Sequence, residues 1–580
     1  MYNWDLERIY PSIDSKEFKE DFNKTKELGQ EALNMKLESL DDFREFIKKE
    51  EEANKYAASI GEYLSLRLSV DTNDKEAMKA YGKARNLYDE IYTPMSLKET
   101  NFVKNHRDIF NEAFNDEFLK SYSYYLRNLE NTAKRSLSDE TELLLSKLSK
   151  SSGDAWEDLY SNLTSTLEVD YNGKVISLSE VRNLAFSSDE NIRKAAYLAE
   201  LKAYKKIEKS IAACLSSIKQ EVSVLTKERG YSSPLEATLV ESGMTKKTLD
   251  VLLKAIEEYY PYFRMYLKRK GELLGHKNGL PFYDLFAPLG SLDTKYTVEE
   301  ANKYLVDRFT KFSPEIGALM DRAMKNNWID YLPRNGKVGG AFCADATKLG
   351  ESRVLTNFDG TFYSISTLAH ELGHAFHNEV LNDVSLFKRD CPMQLAETAS
   401  TFNETFIKDN AVKEAKSKDE KISMLETIIS DDNQVIVDIM SRYYFETAVF
   451  ENTKESALTP EELCDLMRDA QLKSYGDGLD KDYLHPYMWC PKGHYYSTGL
   501  SYYNFPYAFG QLFAYGLYSK YLEDGDKFFP LYKDILRNAG SMPIRECVLL
   551  SGIDTEDINF WKKSLDICKD HILEFLELTK

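Results

Sequence analysis

Helical periodicity, uninterrupted by glycine or proline, constrains this chain more than any other feature. Only 27 Gly and 15 Pro are spread over 580 residues, and long stretches contain neither. One of them follows Ser187-Ser188-Asp189, residue types whose side chains cap helix starts. It runs to Gly230, which suits the left-handed position just past a helix end. Ala196, Ala199, Ala203 and Ile207 begin its apolar face, and Ile211, Leu215, Ile218, Val222 and Leu225 extend it at three- and four-residue steps, so one helix is predicted across the whole stretch. Thr297 followed by Glu300 forms a capping box that opens another. Strand signals are few. The segment LEVDYNGKVISL alternates around Asn172-Gly173, the signature of a type I′ hairpin. Residues 339–358 read as two short strands joined by a loop. These strands either wall a cleft, where an extended peptide pairs with an edge, or form a hairpin that merely packs. The expected fold class is mostly α, with a small hairpin or sheet.

Composition removes several functions. With 75 Lys plus Arg against 95 Asp plus Glu, the net charge is −20, which repels phosphate backbones, and no basic patch of useful length offsets it. Apolar residues make up 43% and aromatics 13%, enough for a large core rather than disorder. No apolar run approaches the roughly 18 residues of a membrane span. The start, MYNWDLERIYPSID, has early acids and no apolar h-region. The expectation is a soluble cytoplasmic protein with no nucleic-acid or membrane partner. The seven cysteines, 7 in all, form no CxxC pair and read as reduced thiols. No repeat or Gly/Ser linker separates modules.

Chemistry concentrates in ISTLAHELGHAFHNEV, residues 365–380. Ile365, Leu368, Ala369, Leu372, Ala375, Phe376 and Val380 form a stripe at helical spacing. His370 and His374 stand four apart, on one face and separated by about 6 Å of axial rise, so both imidazoles can reach one metal. Glu371 is beside the first of them but rotated off their line, placed to address water rather than the ion. With 8 His in the chain, a chance His-Glu-x-x-His is expected on the order of 0.01 times. His377, on the same face, lies about 10 Å along the axis from His370, too far to share its metal easily, and reads as a histidine that either supports a ligand or packs.

A catalytic metal site needs a third ligand and an open fourth position. The following segment, CPMQLAETASTFNETF, offers it: Pro392 suits the first turn of a helix, and Glu397, Thr401 and Glu404 then share a face. Either Glu397 or Glu404 can ligate, the other holding a ligating His, and the residues alone leave the choice open. Cys391 is a more distant rival. A later stretch, HPYMWCPKGHYYSTGLSYYNFPYAFGQLFAYGLY, carries His485, His494 and the tyrosines Tyr502, Tyr503 and Tyr507. Tyrosine hydroxyls or an imidazole can donate to a developing oxyanion; an aromatic core has the same composition.

Taken together, TLAHELGHAFH, AETASTFNE and GHYYSTGLSYYNFPYAFG, in that order, resemble the thimet oligopeptidase and oligoendopeptidase F superfamily of zinc metallopeptidases, the third segment pointing to the oligoendopeptidase F branch. The resemblance covers about the last 250 residues with specific motifs. It implies zinc, one ion per chain, held by His370, His374 and Glu397, with Glu404 in support and Glu371 as the catalytic carboxylate. His494, Tyr503 and Tyr507 match the groups that assist the transition state, with Phe505 standing where many relatives carry another tyrosine. It implies a bilobed helical shell around a deep channel and short oligopeptides as substrates. The division expected is an N-terminal helical lobe over 1–190, with its hairpin near 167–178, and a catalytic region over 191–580. The expected reaction is endopeptidase hydrolysis, the strand near Val354 to Phe358 aligning the peptide backbone, with exopeptidase action or peptide binding without turnover as rivals.

Overall fold

The computed structural model describes residues 2–290, 294–454 and 456–580. Three helices open the chain: α1 (Lys16–Asn34), α2 (Leu40–Val70) and α3 (Lys75–Asn105). Ser15, Ser39 and Asp74 cap them by accepting from a backbone N–H three residues on, Ser39 in a reciprocal box with Asp42. The expected hairpin follows, with β1 (Glu168–Tyr171) antiparallel to β2 (Lys174–Ser177). Asn172 at φ 51° and Gly173 at φ 77° supply the two left-handed residues that a type I′ turn requires.

The long helix expected up to Gly230 is two helices, α4 (Glu190–Tyr204) and α5 (Glu208–Glu228). At the break, the N–H groups of Lys206 and Ile207 bond the carbonyls of Ala203 and Tyr204, three residues back, and Ile207 sits at φ −120°, ψ −4°. Ala196, Ala203, Ile207, Ile211, Leu215 and Ile218 nevertheless share one buried cluster. The apolar stripe therefore continues while the backbone tightens, because burial of the face, not local propensity, fixes such a helix. The capping box at Thr297 and Glu300 does open a helix, α6 (Val298–Phe312).

The two strands expected in residues 339–358 are β4 (Phe342–Ala346) and β5 (Glu351–Leu355). A two-residue strand without a sequence signal, β3 (Ile329–Asp330), completes a sheet in the order β3-β5-β4. This corrects one expectation. Val354 and Leu355 offer no free edge: the N–H groups of Val354, Thr356 and Phe358 bond Trp328, Asp330 and Tyr331 at 2.8–2.9 Å, and β4 pairs with Val354 and Leu355 on the other side. The edge strand next to them is β4.

Four further helices carry or support the site residues: α7 (Phe362–Val380), α8 (Thr398–Glu414), α9 (Lys418–Asp432) and α10 (Ile439–Asn452), with a π-helical segment, Asn433–Asp438, between the last two. A fifth, α11 (Phe505–Asp524), follows near the end. The contacts divide the chain into two compact units, each assembled from three segments: Met1–Arg135, Asp293–Asp409 and Lys520–Ile553 in the first, Ser136–Leu292, Asn410–Ser519 and Asp554–Lys580 in the second. Residue 190, the expected boundary, lies inside the second unit. In the first, Trp4, Tyr10, Phe18, Tyr63 and Leu64 pack with Ala346 and Leu355 of the sheet. In the second, Leu215, Ile218, Phe445, Trp489, Tyr495 and Tyr496 form the core. All seven cysteines are free thiols, and among the described residues no helix is long and apolar enough to cross a membrane.

Candidate metal centre and active site

The helix α7 starts at a clasp. Thr361 caps the N–H of Ser364, while the carboxylate of Asp359 accepts from the Thr361 N–H and from both hydroxyls. Its apolar stripe, Ile365, Leu368, Ala369, Leu372, Ala375 and Phe376, is at most 1% exposed. With one face committed to the core, His370 and His374 are left on the other, each ring about a quarter exposed. Gly373 between them lets a second backbone approach. A Cβ there would lie 2.5 Å from the carbonyl oxygen of Ala399 and 2.6 Å from Cα of Ser400, so only glycine fits. The Asn403 side chain also donates to the Ala369 carbonyl at 3.2 Å. Below, Phe376 and Phe402 both pack on Tyr532, burials worth about 1.5–3 kcal/mol per side chain.

That contact brings in the second segment, which departs from the expected continuous helix. Pro392 caps a single turn, Met393–Ala396, and Glu397 breaks the helix at φ −92°, ψ 8° before α8 begins. The break sets the Glu397 carboxylate against both imidazoles: its Oε2 is 3.2 Å from Nε2 of His370 and 3.2 Å from Nε2 of His374. The Ser400 hydroxyl donates to the same oxygen at 2.7 Å. Glu404, one turn further along α8, takes the other ring nitrogen of His370, Nδ1 to Oε2 at 3.0 Å, and is itself paired with Lys408 at 2.7 Å.

Charge here is unbalanced towards the negative. Burial alone would push the His370 imidazole down, but Glu397 and Glu404 override it and hold the ring up at about 10. Burial would raise the two carboxyls; the histidines outweigh it and keep Glu397 well below the usual carboxylate range, while Lys408 and His370 bring Glu404 down to about 2. Glu371, 6% exposed, is pushed up by burial, against the pull of both imidazoles. Ligands placed tetrahedrally at about 2.0–2.2 Å from an ion lie roughly 3.3–3.6 Å apart. Two imidazoles and one carboxylate whose donor atoms all lie within 4.8 Å of one another, in a pocket with excess negative charge, fit a divalent cation. His377 and Cys391 stand outside this set. His377 is buried, pushed down to about 4 by that burial, and donates to the Leu536 carbonyl at 2.9 Å; burial pushes the Cys391 thiol up.

The third segment forms a cluster in the second unit. Tyr495 and Tyr496 anchor a tight turn, Gly493–Tyr496, by burying their rings, Tyr496 stacked on Tyr160 at 3.7 Å. His494 is held on the turn's less buried side. Tyr502 turns the chain at φ 54°, its ring buried on Phe450 at 5.6 Å, an uncommon backbone for a bulky residue and one that marks functional loops. Tyr503 then stacks on His494, centroids 5.5 Å apart, and its hydroxyl bonds that of Tyr507 at 2.7 Å. Burial, with Arg442, Lys492 and Lys219 adding positive charge, pushes His494 down to about 3. The three residues singled out in this stretch therefore come together. His485 does not join them; it is buried, 3.5 Å from Glu200. Asn504, whose side-chain nitrogen is 2.7 Å from Nε2 of His494, had no motif to point to it.

A His-Glu-x-x-His helix with a carboxylate set against both imidazoles, in a fold built of helices with two small sheets, defines the metallopeptidase class. The chain belongs to peptidase family M3, whose family model matches residues 183–567; that of oligopeptidase F matches residues 102–168. An oligoendopeptidase F homolog of Lactococcus lactis subsp. lactis (strain IL1403) is 24% identical over 536 residues, 89% of this chain and 87% of its own. Two solved structures share the fold. One from Chlamydophila abortus has a TM-score of 0.89 at 22% identity, covering 99% of this chain and 98% of that one. The other, oligoendopeptidase-F from Enterococcus faecium, scores 0.71 at 21% identity, covering 97% of this chain and 99% of its own.

Proposed function

We propose that this chain is a zinc-dependent endopeptidase that hydrolyses internal bonds of short oligopeptides. The observation that carries the reading is the convergence of His370, His374 and Glu397 beside a buried Glu371. His370 and His374 would hold the ion through Nε2 and Glu397 through its carboxylate, with Glu404 fixing His370 by its other nitrogen. Bound zinc supplies Lewis acidity, which lowers the pKa of water towards 7 and polarises a carbonyl.

The chain's own groups do the rest. Glu371 takes the proton of the attacking water and passes it to the leaving amine; burial raises its carboxyl above the ordinary value, which makes it a stronger base. The edge strand β4 pairs with the extended backbone of the peptide. His494, neutral, and the hydroxyls of Tyr503 and Tyr507 donate to the oxyanion as the carbonyl becomes tetrahedral. The matches to M3 and oligoendopeptidase F proteins support peptides as substrates.

The test uses a quenched fluorescent peptide with both termini blocked. The native enzyme is expected to cleave it, which an enzyme that reads a free terminus would not. Glu371→Gln is expected to lose about 100- to 10,000-fold in turnover while keeping one zinc per chain by elemental analysis. Near-normal turnover in that zinc-loaded variant would refute the role given to Glu371.

A further inference from the structure

Asn504 sits at the entrance to α11 and is 2% exposed. Its side chain bridges two groups of opposite character. On one side its Nδ2 is 2.7 Å from Nε2 of His494; on the other its Oδ1 faces Nη1 of Arg442 at 3.4 Å. Arg442 is fixed from behind. Its other terminal nitrogen pairs with Asp438, the last residue of the π-helical segment, whose second oxygen accepts from the buried Tyr475 hydroxyl at 3.0 Å. Insertions of π helix re-aim side chains and recur at functional sites.

The hydrogen-bonding character of these groups leaves one arrangement. A guanidinium only donates, so the end of Asn504 that meets Arg442 must be its carbonyl, and the end that meets His494 must be its NH₂. An NH₂ only donates, so Nε2 of His494 must accept. A neutral imidazole with its lone pair on Nε2 carries its proton on Nδ1. Burial and the three nearby cations keep the ring neutral, and Tyr503 and Tyr495, at 5.5 and 4.5 Å between centroids, hold its plane.

We propose that Asn504, oriented by the Asp438–Arg442 pair, is a positioning residue that locks His494 as the Nδ1–H tautomer, so that this histidine can donate a hydrogen bond during peptide hydrolysis and cannot act as a base through that nitrogen. The inference rests on the oxyanion role given to His494 above. Asn504 touches no reacting atom; it acts through the ring.

The experiment reads the tautomer directly. Protein labelled with ¹⁵N-histidine is followed by long-range proton–nitrogen correlation, the His494 signals being identified by their absence from His494→Gln. In the native protein Nδ1 is expected to carry the proton, unchanged from pH 8 to pH 5. Asn504→Asp keeps the size but places a carboxylate against Nε2. It is expected to move the proton to Nε2, raise the pH at which His494 titrates, and lower kcat by about 100-fold, as for a lost oxyanion donor, with KM within about twofold. Unfolding by heat reports whether the variant remains folded. A native ring protonated on Nε2, or an Asn504→Asp protein that keeps the Nδ1–H ring and native kcat, overturns the proposal. Failure of the peptidase reading has a different signature: an intact Nδ1–H ring in a zinc-loaded native protein that cleaves no peptide.

Discussion

Two histidines of this molecule, His370 in the first unit and His494 in the second, have been tuned in opposite directions. Around His370 stand Glu371, Glu397 and Glu404, and the ring is held up at about 10; around His494 stand Arg442, Lys492 and Lys219, and the ring is pushed down to about 3. Both are partly buried, so desolvation is common to the two and the neighbouring charges make the difference. The first environment demands a cation, and two imidazoles with a carboxylate are built to share one. The second repels a cation and leaves a neutral hydrogen-bond donor beside two tyrosines. One residue type thus takes on opposite character because its surroundings, not its chemistry, differ.

The comparison is broken most severely by removing the carboxylate that joins the two imidazoles. Glu397→Ala is expected to abolish stoichiometric zinc and turnover together, a loss beyond the roughly 10- to 100-fold typical of groups that only support a ligand; elemental analysis and peptide cleavage read both. On the opposite side, Tyr507→Phe is expected to cost about 100- to 1,000-fold in kcat with zinc retained at one per chain. Zinc loss in that variant would show that the two clusters do not divide the work as stated.

Smaller effects sharpen the same contrast. Glu404→Gln keeps the shape but weakens the grip on Nδ1 of His370, and zinc affinity is expected to fall about 10- to 100-fold, read by competition with a chelator of known affinity. For His494 the expected effect lies in the pH dependence of stability. An unfolded histidine titrates near 6.5, whereas the folded ring does so at about 3. Between those values the unfolded chain binds one more proton, so stability declines as the pH falls from 6.5 towards 3. The slope is at most about 1.4 kcal/mol per pH unit. In His494→Gln that component should vanish from denaturant unfolding curves across this window; an unchanged slope would mean that the ring is not held neutral.

What could be read in the sequence follows range. Helix content, the I′ hairpin at Asn172-Gly173, the box at Thr297 and Glu300, and the shared face of His370 and His374 all depend on bonds between residues a few positions apart. The features that escaped depend on distant partners. The break at Lys205 to Ile207 carries no glycine or proline. The interruption at Glu397 lies inside a run with good helical spacing. The central place of β5 required β3, a strand of two residues. Arg442 and Asp438 had no motif, although Asp438 and Arg442 are spaced four apart as an ion pair on a helix would be.

The shared face of His370 and His374 on α7 was thus settled by the sequence alone, because 3.6 residues per turn place positions 370 and 374 side by side wherever that helix forms. Which carboxylate faces them was decided only in three dimensions, where a glycine at 373 admits the backbone of 399 and 400 and a kink at 397 points one oxygen at both rings. The same holds for His494 and its amide partner, ten positions apart in the chain. Local hydrogen bonding repeats along a chain and can be read as a period; packing selects partners by shape and charge across the fold, and no spacing encodes it.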